Sequence, residues 1–216
     1  ALGTNLSDSR FQEVIAGAAA YHDHGADSVV ALGGGSGLDC GKSVALLAGL
    51  GGDLWRFAYP RSLEVQAERS PVPIIAVPTT AGTGAEVEAS GIITNTAKPV
   101  KAGIVNLSMM PRVVIADPEL TLSLPPNLTA WTGMDALSHC LEAYCVQSYH
   151  PMADGIAIEG LRLIREWLPV ACRDGANIEA VMVRQGFAGL SARQRWASCG
   201  PKARPPRRLV GLLRPL

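Results

Sequence analysis

The sequence predicts a unit of parallel strands and helices followed by a purely helical half, with the boundary near residues 124–126. Three observations point there. Two short apolar runs, 27–32 and 73–77, each end in a turn rich in glycine or hydroxyl residues, as strands of an open α/β sheet do. Apolar residues at helical spacing stand on both sides of the first run. After Leu124-Pro125-Pro126 the periodic segments are helical and no strand signal appears.

The elements follow in order. Phe11, Val14, Ile15, Ala18 and Tyr21 mark a helix over residues 9–24, with Gly25 placed to end it. The strand at 27–32 runs into Gly33-Gly34-Gly35-Ser36, and a second helix spans 39–48 before Gly49, Gly51 and Gly52. The second strand, 73–77, ends in Pro78-Thr79-Thr80-Ala81-Gly82-Thr83-Gly84. Residues 90–94 and 102–105 flank a polar turn and predict a hairpin, and 113–116 predict a last strand closed by Asp117-Pro118. Asn127 or Thr129 is placed to cap a helix running through Met134, Leu137, Leu141 and Tyr144. Ile156, Ile158, Leu161, Leu163 and Ile164 define another, over about 152–167. No internal repeat is visible.

Composition narrows the class. With 216 residues, 48% hydrophobic and 18% charged, the chain can bury a core and is neither a disordered, a collagen-like nor a disulfide-scaffold sequence. No window reaches the ~18 consecutive apolar residues of a membrane span. The five cysteines form no CxxC pair and are odd in number, which predicts reduced thiols, mostly as core fillers, in a cytoplasmic protein. The first residues show neither a basic stretch nor an apolar run, so no signal peptide is expected, and the absent Met points to a start further upstream.

The formal net charge of zero conceals a split. Residues 1–179 hold all 19 acidic residues against 11 basic ones, net −8, whereas 180–216 hold 8 basic residues and no acid. A nucleic-acid arm would show aromatic interleaving or a recognisable module. The tail has neither, so no nucleic-acid partner is expected.

The segment Gly33 to Ser43 sits between strand and helix, where free N–H groups and the helix dipole favour a phosphate. Neither familiar fingerprint fits. Gly41-Lys42-Ser43 would need a glycine at 36 for a Walker A loop, and G-x-G-x-x-G fails at Leu38 and at Cys40. A tight structural turn accounts for the same residues. The Thr79–Gly84 turn repeats the theme at a second strand end, and two such loops are a better signal than one. On the first C-terminal helix, Asp135 and His139 are spaced to share a face, with Cβ atoms ~5–6 Å apart. That suits a carboxylate and an imidazole on one divalent metal, or an ordinary surface pair, since such a metal takes three or four protein ligands.

Taken together, these segments resemble the iron-containing (group III) alcohol dehydrogenases. The matching residues are Gly33-Gly-Gly-Ser-x-x-Asp39-x-x-Lys42, Pro78 through Glu86, and Thr132-Gly-Met-Asp-Ala-Leu-Ser-His139-x-x-Glu142-Ala-Tyr144. Asp117-Pro-Glu-Leu-Thr121 and Leu124-Pro-Pro126 add to them, and the likeness runs from about residue 6 to 180. It implies an α/β nucleotide-binding domain (1–124) followed by an all-helical metal-binding domain (125–190), a dehydroquinate synthase-like fold with both domains incomplete. The implied reaction is hydride transfer between a small alcohol or aldehyde and NAD or NADP. Gly34, Gly35 and Ser36, with Asp39, would cradle the pyrophosphate; Thr79, Thr80, Thr83, Lys101 and Leu120 would touch the cofactor. Asp135 and His139 would be two of four ligands to Fe2+, with Zn2+ as the alternative. Maleylacetate reductases look similar but lack the metal and its aspartate, so Asp135 separates the chain from them. A homodimer is compatible with the intact protein.

The sequence also departs from the family. The remaining ligands would be histidines, yet after His139 there is only His150, in a context that matches neither motif and reads as a surface loop; His22 and His24 read as solvated residues of the first helix. Family members are longer at both ends. Residues 191–216, crowded with Arg, Pro, Trp, Cys and Gly, read as an out-of-frame or disordered basic tail. The chain by itself is therefore expected to be inactive, and a non-catalytic α/β nucleotide-binding or dimerisation module is the alternative.

Overall fold

In the computed structural model, residues 10–65, 68–96, 100–146 and 150–183 are described. The expected tail, Cys199 and the centre of the hairpin turn at 97–99 lie outside them.

Helix α1 (Phe11–Asp23) begins where the Glu13 carboxylate accepts the Arg10 N–H at 3.1 Å, and it lays Val14 and Ala18 on helix α2 (Gly35–Leu50). Strand β1 (Val29–Gly33) lies between the two in sequence. Glycines at 33–35 and 37 have low intrinsic helix propensity, which puts the sequence-based start of α2 at Asp39. In the structure the helix starts at the loop itself, because Leu38 is buried against the sheet and its N–H bonds Gly34 O at 3.0 Å. Tertiary packing overrides propensity here.

Strand β2 (Ile74–Pro78) follows, then the hairpin β3 (Ser90–Asn95) and β4 (Val100–Val105), then β5 (Val113–Val114). Strands β1, β2 and β5 form a parallel sheet in the order β1-β2-β5, and the hairpin is a separate antiparallel pair. β5 is shorter than the expected 113–116, although the Ile115 N–H still reaches Ala76 O at 2.8 Å. Helix α2 covers one sheet face through Ala31, Leu38 and Ala76. The other face leaves Val30, Leu32, Val113 and Ile115 exposed. The largest core cluster joins α1, α2 and the hairpin: Val14, Val44, Leu46, Leu54, Phe57, Ile93, Ile104 and Met109.

Beyond the turn Pro118–Thr121 the described residues include the helices α3 (Pro126–Cys145) and α4 (Pro151–Arg173), with residues 178–183 helical again. Neither Asn127 nor Thr129 caps α3. It starts at Pro126, whose fixed φ and missing N–H suit a first helical position, and Thr129 becomes a buried helical residue with its N–H on Pro125 O at 3.0 Å. α4 runs past the expected end at 167 and through Pro169, held by buried Ala171. His150 is the N-cap of α4 and not a surface-loop residue, its Nδ1 accepting the Ala153 N–H at 3.2 Å. α3 and α4 pack through Ala136, Cys140 and Ile164. Among the described residues no helix is long and apolar enough to cross a membrane.

Of the cysteines, Cys140 is a core residue and Cys40 packs on the main cluster, whereas Cys145 is exposed. Burial pushes the Cys40 and Cys140 thiols up to about 11. Phe57 is fully enclosed in the main cluster. Phe57→Ala should therefore lower unfolding stability by about 3–5 kcal/mol in urea titrations, and a loss under about 1 kcal/mol would contradict this packing.

Candidate nucleotide- and metal-binding site

The two loops stand side by side because β1 and β2 run parallel in a register that pairs Gly33 with Pro78. The Thr79 N–H donates to Gly33 O at 2.9 Å, so both loops leave the sheet at the same level. Gly34, the N-cap of α2, has no side chain with which to cap that end, and a helix N-terminus at a strand end is a place for a ligand's negative charge. Thr80 and Thr83 lean on Gly34 and Gly35. A Cβ on Gly35 would lie 2.6 Å from the Thr83 methyl, and one on Gly34 would lie 3.1 Å from that of Thr80. Position 35 thus requires glycine for the loops to meet at all.

The interior behind the loops holds what sequence spacing could not show. Lys42 is fully buried; its ammonium donates to Ala85 O at 2.8 Å and to Ser90 O, and pairs with Asp39 Oδ1 at 3.0 Å. Asp39 Oδ2 accepts the Ile92 N–H at 2.9 Å. Asp39 and Lys42 therefore have protein partners inside the fold. Next to them Glu86 is buried, and desolvation pushes its carboxyl above the ordinary glutamate range, opposed by its own N–H and by Lys42.

Ser36 lies in the first turn of α2. Lys101 is on β4 opposite Thr94, exposed, and Leu120 is an exposed residue of the turn after β5. The structure thus brings Gly34, Gly35, Thr80 and Thr83 into contact, with Thr79 alongside, and sets Lys101 and Leu120 on separate elements.

The second loop also touches the helical half. A Cβ on Gly82 would lie 2.7 Å from Thr132 O of α3, so glycine permits that approach. One turn further along α3, His139 Nε2 lies 3.4 Å from Asp135 Oδ2, and His139 Nδ1 is buried with no hydrogen-bond partner. An oxygen and a nitrogen ligand on one helix face fit a divalent metal, with Asp135 reachable from solvent and His139 largely enclosed. Among the described residues no group of three His, Cys, Asp or Glu is assembled for a metal.

Residues 5–118 match the family model for the iron-containing alcohol dehydrogenases, and residues 129–193 match the model for that family's C-terminal part. The chain belongs to the iron-containing alcohol dehydrogenase family. It is 41% identical over 186 residues to a 4-hydroxybutyrate dehydrogenase of Cupriavidus necator, covering 84% of this chain and 48% of the relative. It is 39% identical over 168 residues to an NAD-dependent methanol dehydrogenase of Bacillus methanolicus, covering 78% of this chain and 43% of the relative. The crystal structure of a sulfoacetaldehyde reductase from Bifidobacterium kashiwanohense in complex with NAD+ superposes with a TM-score of 0.79 at 33% identity, covering 88% of this chain and 50% of that one. The chain spans about half the length of the curated relatives it matches. As a family member, it has the expected architecture of an α/β part followed by a helical part.

Two outcomes follow from this geometry. Gly35→Ala should cost about 1–3 kcal/mol of stability by urea unfolding, and Thr83→Ala in the same chain should restore part of it. Purely additive losses would show that the loops do not meet there. For Glu86, the raised carboxyl means the folded state resists ionisation. Its stability is complete below the unfolded glutamate value, about 4.3, and falls as pH rises through the folded value. Glu86→Gln should therefore stabilise the protein at pH 7 and lose that advantage near pH ~3; an equal effect at both would refute the burial argument.

Proposed function

We propose that this chain carries the dinucleotide cradle and part of the metal face of an NAD(P)-dependent alcohol dehydrogenase acting on a small alcohol or aldehyde. The observation that supports it most is the contact of two loops at adjacent parallel strand ends, with Gly34 and Gly35 against Thr80 and Thr83 at the N-terminus of α2.

In this reading the pyrophosphate lies over Gly34, Gly35 and Ser36, where main-chain N–H groups and the α2 dipole balance its charge. Thr79, Thr80 and Thr83 offer hydroxyls to the cofactor from the second loop, and Lys101 and Leu120 bound it from β4 and the turn after β5. Asp39 contributes from behind, as the partner of Lys42. On α3, Asp135 and His139 supply an oxygen and a nitrogen ligand for Fe2+, with Zn2+ as the alternative; NAD+ in the related reductase and the NAD dependence of the methanol dehydrogenase favour NAD. When bound, the metal supplies a Lewis acid for the alcohol oxygen and the nicotinamide supplies the hydride acceptor. Thr132 sets the distance between the two sets of residues, since its carbonyl abuts Gly82 of the nucleotide loop.

The site half present explains the behaviour proposed for residues 1–216 alone: weak nucleotide binding, weak metal binding and no turnover. A cytoplasmic setting and a homodimer of the intact protein belong to the same reading. Calorimetric titration of the folded chain should detect NAD(H), with an affinity that Asp135→Ala leaves unchanged. His139→Ala should weaken Zn2+ binding by about tenfold or more. Adding NAD+ with Fe2+ or Zn2+ should give no alcohol oxidation above a metal-free control. A folded chain that ignores NAD(H) would remove the proposal, and clear turnover would remove its claim about the isolated chain.

A further inference from the structure

Lys42 is a cation with no exposed surface, in a segment whose spacing fits neither phosphate-loop fingerprint. Its ammonium donates hydrogen bonds to Ala85 O and Ser90 O, and Asp39 Oδ1 stands 3.0 Å away as its ion-pair partner without a hydrogen bond. Enclosed by these three acceptors, the fully buried ammonium offers no surface to a ligand. What the three acceptors share is their position. Ala85 directly follows the Thr79–Gly84 loop and opens the turn Ala85–Val87; Ser90 opens β3; Asp39 is on α2 one turn before Lys42. Asp39 extends the connection through its other oxygen to the Ile92 N–H. The Ala85 N–H in turn donates to Thr83 Oγ1 at 3.2 Å, and Thr83 is the side chain that meets Gly35.

A closed circuit results. It leaves the first loop along α2 to Lys42, crosses to Ala85, and returns through Thr83 to Gly35. We propose that Lys42, oriented by Asp39, is a positioning residue for the dinucleotide: it fixes the second loop against the first so that both present their polar groups to one pyrophosphate. The inference rests on the nucleotide-binding reading above. It also gives Asp39 its part in that reading, acting through Lys42 and Ile92 and not by direct contact. The cation serves the loops by two charge-assisted bonds to carbonyls, a class stronger than neutral hydrogen bonds.

Removing Lys42 alone would strand the Asp39 charge in the interior and risks unfolding. The informative variant is Lys42→Met with Asp39→Asn, which removes both charges at similar volume and keeps an acceptor for the Ile92 N–H. Binding of ADP, which contains the pyrophosphate, is followed by NMR on the folded full chain alongside the unfolding midpoint. In the wild type, ADP should shift the Gly35 and Thr83 amides together. In the double variant ADP affinity should fall by about tenfold, with the Gly35 amide still responding and the Thr83 amide no longer doing so. Lys42→Gln with Asp39→Asn, which strands no charge and keeps a neutral donor at 42, should show the same pattern more weakly, and it decides the matter if the Met variant does not fold. Unchanged ADP affinity with both amides still responding, even at a lowered midpoint, would overturn the inference and leave the nucleotide reading standing. Failure of the wild type to bind ADP would overturn the nucleotide reading and this inference with it.

Discussion

Everything functional in this chain depends on the parallel pairing of β1 with β2. That register puts Gly33 beside Pro78, so the two loops emerge from one edge of the sheet at one level. A parallel pair cannot be joined by a tight turn and needs a crossover, and here α2 supplies it. The crossover helix therefore starts at the first loop, passes beneath the second, and presents Lys42 where the second loop ends. Sheet register, helix start and loop contact are one constraint seen at three places.

A buried cation is an expensive way to hold a loop, because desolvating an ammonium costs several kcal/mol before any partner repays it. The surroundings explain how Lys42 persists: a carboxylate at 3.0 Å balances its charge, and two main-chain carbonyls accept its hydrogen bonds. Glu86 and Glu88 lie buried nearby, Glu86 with a carboxyl that burial makes reluctant to ionise. An apolar residue at 42 would fill the space and could not address the Ala85 and Ser90 carbonyls. Directional bonding, not burial of apolar area, is what the position requires.

How far the sequence discloses all this depends on how local each feature is. The two parallel strands are legible because strands covered by a helix read as short apolar runs, and the loops are legible because close approach demands glycine and leaves an obvious mark. The Asp135–His139 spacing is legible because helix geometry alone puts those side chains on one face. The start of α2 is not, since the glycines that permit the loop contact argue against a helix until Leu38 meets the sheet. The carbonyl partners of Lys42 are not legible either. They lie more than forty residues away, at 85 and 90, and are main-chain carbonyls, which no residue pattern marks. The same holds for Thr132, whose carbonyl meets Gly82 across the boundary between the two halves. His150 misleads in the other direction: a lone histidine before a proline looks like a loop residue, and its role as a cap appears only once α4 is in place.

Helix α3 brings the argument together. Its buried stripe of Thr129, Gly133, Ala136, Cys140 and Ala143 includes the Ala136–Cys140 contact with α4, where Leu168 closes on Gly133 and Cys140 on Gly160. The adjoining stripe carries Asp135 and His139, and the Thr132 carbonyl touches the Thr79–Gly84 loop at Gly82. Rotating α3 by one residue would turn the carboxylate and imidazole away and lift Thr132 from Gly82 at the same time. The small residues that let α4 approach so closely thus fix the rotation of α3 about its axis, and that rotation sets how the carboxylate–imidazole pair faces the loops. The packing of two helices remote from the glycine loop is in this way as much a part of the site as the loop itself.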